Sequence, residues 1–268
     1  MKAYGDKFYI DIPISNNKFS FEKRKFKKIV IPNIIEGLIK EVKKGDEFSF
    51  IEIDENNNEI KCLGVKNMIL QKQEDKKMYI FDNHNHTFYF TYEHYKENKI
   101  KFDFIHIDQH KDLREPDLYF EEYIQLVRRS YDAFRDEMNK IGIKSEKIIK
   151  EEFDRKDNDT TLAFLYTNTT LNVGNFIKPL MNMGIINDFY CVDSQYSLDE
   201  IDKYNISNNY ILDLDLDFFS NEMDYICKLE KIKIIKKLIK NASIVLIATS
   251  PYFIEFNKCK DIIDVLMD

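Results

Sequence analysis

Residues 102–113 read FDFIHIDQHKDL, an apolar stretch that runs directly into three potential metal ligands. Asp108, His110 and Asp112 occupy alternate positions, so an extended backbone would point all three side chains to one side. Carboxylates placed this close together repel one another unless a cation neutralises them. The stretch therefore predicts a buried strand that ends at a metal site, and a polar loop after a buried strand is the alternative.

A second stretch, residues 210–219, reads YILDLDLDFF. In a strand, its strict alternation places Asp213, Asp215 and Asp217 on one face and the intervening leucines on the other. The leucines indicate an interior strand, in which three like charges are costly to bury. The acidic face is therefore expected to meet a metal ion or other cations, and a solvated acidic face is the alternative.

A third group of potential ligands follows the strand-like residues 78–81, where residues 82–86 read DNHNH. His84 and His86 would share one side of an extended backbone, and residues 87–98 can form a helix behind them. The alternative is that one or both histidines are simply hydrogen-bonded in a loop.

Strand-like and helix-like segments alternate along the chain, which predicts an α/β fold with a mostly parallel sheet and helices on both faces. Ligands at the carboxyl ends of such strands converge in one crevice. The further helix-like segments are residues 33–44, 118–140, 169–183 and 222–240, and a terminal helix after the strand at 244–249. The remaining segments are a hairpin (48–53 and 60–65), a strand (189–192) and a charged, mobile connection (147–160).

The composition limits the class of protein. The chain has 268 residues and no linker-like segment, so a single domain spanning residues 1–268 is expected. The net charge of -7 argues against a nucleic-acid partner, because phosphate binding needs a basic face. There is no apolar leader and no run of membrane-spanning length, which predicts a soluble, cytoplasmic protein without membrane contact. The 4 cysteines are widely spaced, as expected for buried thiols in a reducing compartment.

The three ligand groups resemble, in the same order along the chain, the three metal motifs of the arginase/deacetylase superfamily. The resemblance covers most of the chain, and residues 174–179 (GNFIKP) with the Ser250-Pro251 pair make it closer to the branch that contains the peptide arginases. It implies a three-layer α/β domain that holds two Mn²⁺ ions. A set of four carboxylates and two imidazoles is also rich in oxygen, which favours manganese over a structural zinc site.

The resemblance also implies roles for the Asp-x-His-x-Asp group. Asp108 would bridge the two ions, Asp112 would bind the first and His110 the second. Asp112 would also accept a proton from the attacking water and pass it to the leaving amine, so Asp112 and His110 are the catalytic candidates.

For the other two groups the resemblance implies three more ligands. Asp215 would be a second bridge and Asp217 a terminal ligand, and the alternative register uses Asp213 with Asp215. His86 is preferred over His84, because the residues beside it are similar to the polar residues that flank the family's histidine.

The implied reaction is hydrolysis at a guanidinium carbon, which turns arginine into ornithine and releases urea. Two features depart from arginases proper: the chain has no histidine beyond His110, and ATSP at 248–251 stands where they carry a glutamate before Asn-Pro. The expected substrate is therefore an arginine presented on a peptide, or a small guanidino compound, rather than free arginine. Glu115, Asp117 and Glu255 are the candidate carboxylates for pairing with the guanidinium.

Rival functions fit parts of the same pattern. A single-zinc amide deacetylase needs fewer carboxylates, and the presence of both Asp112 and Asp217 favours two metals. A metallophosphatase would carry its Asn-His element after the Asp-x-His motif, whereas here it precedes that motif. A non-catalytic, metal-stabilised binding protein would keep the site but lack a substrate-binding acid.

Overall fold

The computed structural model describes residues 2–73 and 76–268. The strands are β1 (Phe8–Ile10), β2 (Ile29–Ile31), β3 (Ile34–Glu36), β4 (Lys44–Ile53), β5 (Glu59–Val65), β6 (Met68–Gln73), β7 (Lys76–Phe81), β8 (Phe102–Ile107), β9 (Ile186–Val192), β10 (Tyr210–Asp215) and β11 (Ile244–Ala248). The α-helices are α1 (His86–Asn98), α2 (Phe120–Arg128), α3 (Tyr131–Lys140), α4 (Glu146–Asp154), α5 (Asp159–Thr169), α6 (Ile177–Asn182), α7 (Gln195–Glu200), α8 (Lys228–Asn241) and α9 (Phe256–Met267).

Seven of these strands form a central sheet in the order β3-β6-β7-β11-β10-β8-β9. β6 and β7 pair antiparallel, and the other neighbours in this sheet pair parallel. β11 is thus inserted between β7 and β10, in the middle of the sheet. Two antiparallel pairs, β1 with β2 and β4 with β5, lie outside it. The prediction of an α/β fold with a mostly parallel sheet is confirmed.

A buried core lies on each face of the central sheet. Every residue of β8 and β10 is buried, as expected for strands that are covered on both sides. Phe102 and Phe104 join one core with residues of α1, α2 and α5, whereas Ile105 and Ile107 join the other core with residues of α8 and α9. This division follows the alternation of side chains along a strand.

The sheet brings several loops to one edge. β7, β11, β10, β8 and β9 run parallel to one another, so their carboxyl ends lie on the same side of the sheet. The three predicted ligand groups all follow or end these strands. This edge is therefore where their side chains meet.

The helix predicted over residues 33–44 is wrong. β3 and a 3-10 turn at Ile39–Glu41 occupy this stretch. The apolar residues have helical spacing, but Leu38 is 44% exposed while Ile39 is fully buried. Pairing with β6, extended by a hydrogen bond from Gly37 N to Leu70 O (3.1 Å), overrides the local pattern.

Three further predictions between residues 118 and 183 need correction. The helix predicted over 118–140 is two helices, α2 and α3, because Ser130 caps α3 by accepting a hydrogen bond from Ala133 N (3.1 Å). The predicted mobile connection at 147–160 contains most of α4 and the start of α5. The helix predicted over 169–183 contains only the short α6. α5 is almost entirely buried, so its sequence lacks the periodicity of an amphipathic helix.

Other predictions are confirmed. The hairpin is β4 with β5, and β7, β8, β11, α1 and the terminal helix α9 lie where the sequence indicates. Of the cysteines, Cys62 and Cys259 are buried as predicted, whereas Cys191 is half-buried and Cys227 is exposed. Within the described ranges, no helix has both the length and the apolar character to cross a membrane.

Candidate metal centre

Four side chains from three loops converge at the carboxyl edge of the sheet. His84 Nδ1 lies 3.0 Å from Asp108 Oδ2, 3.2 Å from Asp112 Oδ2 and 3.1 Å from Asp215 Oδ2. A cation held at about 2.1 Å brings neighbouring ligand atoms to about 3 Å from one another. The three carboxylates thus lie about this distance from His84 Nδ1, and we call these four residues the first position.

A second set adjoins the first and shares Asp108 with it. His110 Nδ1 lies 2.9 Å from Asp217 Oδ2 and 3.3 Å from Asp108 Oδ1. These three residues, which we call the second position, form a group whose ligand atoms all lie within 4.8 Å of one another. Asp108 presents one carboxylate oxygen to each position, which is the geometry of a bridging ligand.

The polar atoms of the two positions are poorly satisfied by the protein itself. Within the described part of the chain, Nδ1 of His84, Oδ2 of Asp108 and Oδ2 of Asp217 are buried without a hydrogen-bond partner. Other acceptor atoms lie close to these three atoms, but no donor is aligned with their lone pairs. Leaving such groups unpaired is costly, and a cation would satisfy them together. The residues therefore fit a metal centre.

Asp213 stands behind the first position and orients its histidine. Its Oδ1 accepts hydrogen bonds from His84 Nε2 (2.9 Å) and Thr87 Oγ1 (2.7 Å). Its Oδ2 accepts one from His106 Nδ1 (2.8 Å). Because Nε2 bonds Asp213, Nδ1 of His84 faces the three carboxylates, the orientation found in metal-binding histidines. Of the two registers, the structure brings Asp215 and Asp217 to the candidate ligands and leaves Asp213 outside them.

Asp217 reaches the second position through a turn rather than along a strand. β10 ends at Asp215, and a 3-10 turn over Leu216–Phe219 follows. Asp215 Oδ1 accepts a hydrogen bond from Asp217 N (2.9 Å), and Asp217 Oδ1 accepts one from Gln109 N (3.1 Å). The strand predicted over 210–219 therefore ends at Asp215, two residues before Asp217. The Asp217 side chain nevertheless lies beside His110, as predicted.

The preference for His86 over His84 is corrected. His86 Nδ1 lies 2.9 Å from Tyr4 Oη, and its Nε2 is 3.7 Å from Asp82 Oδ1, away from the two positions. The prediction assumed an extended backbone, but His86 N donates to Asn83 O (3.2 Å) as the chain turns into α1, so the two histidines point apart. Burial lowers the pKa of His86 to about 3, so its imidazole is neutral.

The crowding of buried carboxylates shifts the pKa values of the side chains in the cluster. Burial, together with the charge of Asp108, raises the pKa of Asp112 to about 6. Burial and the neighbouring carboxylates raise the pKa of Asp217 well above its usual range. Burial acts in the same direction on Asp108, but its close contacts with His110 and His84 hold its pKa well below the usual value. Contacts with Asp108 and Asp217 raise the pKa of His110 to about 10. Protons and a metal ion would therefore compete for this site.

Two residues of the site have a backbone conformation that L-residues rarely adopt. Asp112 has a φ of 49° and Ser250 a φ of 38°. Ser250 Oγ donates a hydrogen bond to Asp215 Oδ2, so the strained residue contacts the first position directly. Strain of this kind costs of order 1–3 kcal/mol per residue and is typical of functional sites.

The segment 174–179 that carries part of the resemblance forms a wall of the site. The Phe176 ring is fully buried and packs against the His84 ring at a centroid distance of 4.7 Å. Arg114 lies across Gly174 so closely that a Cβ there would stand 2.0 Å from its Nη2, which explains the glycine. Val173 N donates to Asn16 Oδ1 (2.9 Å), which ties this wall to the N-terminal segment.

The centre is accessible from the side of His110. The His110 side chain is 40% exposed, whereas the side chains of Asp108 and Asp217 are 1% and 0% exposed. Its ring packs against Phe253, 4.6 Å away, which is itself 39% exposed. The cluster is therefore open to solvent between His110 and the loop after β11.

Two residues of this region were not singled out by the sequence pattern. His106 is fully buried, with Nε2 3.6 Å from Asp108 Oδ2, and forms a further possible metal-holding group with His84 and Asp108. Its position inside an apolar strand made it indistinguishable from a core residue. Asp193 follows β9 directly, and its carboxylate lies 3.7 Å from Lys111 Nζ. No motif marks it, since only the sheet order brings β9 beside β8.

The predicted substrate-pairing acids lie outside both positions. Glu115 accepts from Lys178 Nζ (2.8 Å) and from Tyr119 Oη. Asp117 pairs with Lys18 at 2.6 Å and is 76% exposed. Glu255 is exposed and immediately precedes α9.

No known relative of this chain was found. Comparison with protein-family models, with curated proteins and with solved structures returned no match for this chain. Conclusions about function therefore depend on the chemistry of the site and on the motif resemblance.

Proposed function

We propose that the protein is a binuclear manganese hydrolase that acts on the guanidinium group of a peptide-borne arginine, releasing urea and leaving ornithine. The observation that supports this most is the pair of adjoining ligand sets that share Asp108. A single-metal hydrolase would need only one such set, whereas a metal pair needs a bridging carboxylate. The proposal also includes a three-layer fold of the arginase/deacetylase type, in keeping with the sheet order and the helices on both faces.

The proposed ligands are His84, Asp108, Asp112 and Asp215 for the first ion and Asp108, His110 and Asp217 for the second. When bound by these residues, the ions would supply Lewis-acid activation of water for attack on an electrophilic carbon. An oxygen-rich set of this composition favours manganese.

The protein's own groups supply the proton transfer. Asp112 borders the first position, and its side chain is 10% exposed. A carboxylate in this place is suited to accept a proton from the nucleophile and to return it to the departing nitrogen. Ser250 Oγ and Asp217 N fix the oxygens of Asp215, which keeps the ligand set rigid during that transfer.

A guanidinium substrate also needs a carboxylate partner, because burying that cation unpaired is costly. We propose Asp193 for this role in place of Glu115, Asp117 and Glu255. It stands at the same edge of the sheet as Asp108, whose N donates to Val192 O (3.1 Å). Its side chain is 26% exposed, so it can meet a substrate.

The test is to incubate the manganese-loaded protein with arginine-containing peptides and to measure urea together with peptide mass. The expected result is urea and a mass loss of about 42 Da, the CN₂H₂ difference left by hydrolysis at the guanidinium carbon. The D112N variant should bind peptide but lose turnover, and D193N should raise KM more than it lowers kcat. Acetate from acetyl-lysine peptides, with no urea from any arginine peptide, would favour an amide deacetylase instead.

A further inference from the structure

Lys231 is a buried lysine on α8 whose ammonium group reaches the turns that follow β10. Its side chain is 1% exposed. Nζ donates hydrogen bonds to Phe218 O and Met223 O, at 2.7 Å each. It also lies over the rings of Phe218 and Phe219, 4.9 Å and 5.3 Å from their centroids. A buried ammonium needs such acceptors, so the position of this side chain is closely defined.

The backbone after β10 needs the donor that Lys231 provides. It forms two successive 3-10 turns, Leu216–Phe219 and Asn221–Met223. Turns this short leave the carbonyl oxygens at their ends without a partner inside the turn. Phe218 is fully buried, so water cannot readily satisfy its carbonyl, whereas Met223 O also accepts a hydrogen bond from Ile226 N (3.2 Å). Lys231 bonds one carbonyl in each turn and thereby ties the two together.

We propose that Lys231 is a positioning residue for the second metal position, acting through these turns on Asp217. The inference rests on the proposed metal centre. Asp217 belongs to the first of the two turns, and its Oδ2 is placed 2.9 Å from His110 Nδ1. Asp215 belongs to β10, which the sheet holds independently of the turns. Loss of the ammonium should therefore disturb the second position far more than the first.

Lys76 offers a matched control. Its Nζ donates to Ile239 O and to Lys240 O (2.9 Å), at the C-terminal end of α8. In both lysines, replacement by methionine removes an ammonium that bonds two backbone carbonyls and keeps much of the apolar stem. Of the two, Lys231 alone contacts the turns that follow β10.

The experiment compares Mn²⁺ binding by the wild-type protein, K231M and K76M. Calorimetric titration gives the number and affinity of the ions, and electron paramagnetic resonance separates a coupled pair from single ions. We expect two ions in wild type and K76M. In K231M the second ion should bind about 10–100-fold more weakly, as is typical when an outer partner of a ligand is lost, and the coupled signal should diminish.

The direction of the change separates positioning from simple electrostatics. Removing a nearby positive charge would, on its own, strengthen the binding of a cation. Weaker binding of the second ion in K231M therefore reports lost geometry. Unchanged affinity for both ions in folded K231M would overturn the inference, and so would an equal loss in K76M.

A second variant covers the case in which K231M does not fold. K231Q stays polar, but its side chain is one bond shorter and cannot place a donor where Nζ bonds both carbonyls, so it supports the inference if its second ion binds more weakly than in wild type. Two ions bound by K231Q with wild-type affinity would overturn it. Failure of the wild-type protein itself to bind Mn²⁺ would instead contradict the proposed metal centre.

Discussion

His84 and His86 are separated by one residue, yet their surroundings give them different chemistry. The Nδ1 of His84 faces three carboxylates, whereas both nitrogens of His86 face away from the metal positions, toward Tyr4 and Asp82. The turn into α1 and the hydrogen bond to Asp213 decide which histidine faces the two candidate positions.

We expect His84→Ala to weaken binding of the first Mn²⁺ by more than the roughly 10–100-fold typical of outer partners, because a direct ligand is lost. His86→Ala should retain both ions but lower the free energy of unfolding by about 1–3 kcal/mol. It leaves a cavity in a packed site and removes the hydrogen bond between Tyr4 Oη and His86 Nδ1. Calorimetric Mn²⁺ titration and urea unfolding of both variants measure the contrast. Metal loss in His86→Ala with retention in His84→Ala would contradict the assignment.

The depressed pKa of His86 predicts a pH dependence of stability in the metal-free protein. Its pKa is about 3 in the fold, against an ordinary value of 6.5, because burial disfavours the charged ring. Between these values the unfolded chain binds the extra proton, so the contribution of His86 to stability is present above 6.5 and is lost as the pH falls. Relative to His86→Gln, the wild type should lose about 1.4 kcal/mol per pH unit below that value. Urea unfolding of both proteins across this range is the measurement, and a constant difference between them would contradict the prediction.

Among the secondary-structure elements, β5 packs closely at Gly64 against Asp82, which precedes the two histidines. A Cβ at this position would lie 2.4 Å from Asp82 Oδ2 and 2.5 Å from Ser49 Oγ, both of which are buried. Gly64→Ala should therefore lower the free energy of unfolding by about 1–3 kcal/mol through overpacking. Gly37→Ala is the control, since its Cβ would meet only ordinary contacts, the nearest at 3.7 Å, and its effect should stay within about 0.5 kcal/mol. Equal stability of the two variants in urea unfolding would show that β5 can shift at no cost.

The sequence predicts elements well where an apolar run marks a buried strand, and poorly where tertiary contacts decide. The strands that carry Asp108 and Asp215 are predicted because their apolar runs end in ligands, and five of the six candidate ligands converge as expected. The histidine choice fails because the local pattern does not reveal the turn at residues 83–86. The helix at 33–44 fails because pairing with β6 fixes that segment, and the sequence contains no local sign of that partner.

For the molecule as a whole, metal binding should be a large part of its stability. A ligand that binds only the folded state stabilises it by about 2.7 kcal/mol at a free concentration 100 times Kd. Thermal unfolding should therefore shift upward on Mn²⁺ addition and reverse with a chelator, with a smaller gain in Asp215→Asn. A thermal unfolding midpoint that changes with neither Mn²⁺ nor the chelator would contradict the proposed centre.

The insertion of β11 between β7 and β10 has a consequence for how the protein is made. Until residues 244–248 have left the ribosome, β7 and β10 lack the partner that joins them, so His84 and Asp215 cannot be brought together. The nascent chain would present two unpaired strand edges, which are prone to aggregate. The need for chaperones should therefore last until β11 has emerged, and metal uptake should follow that step.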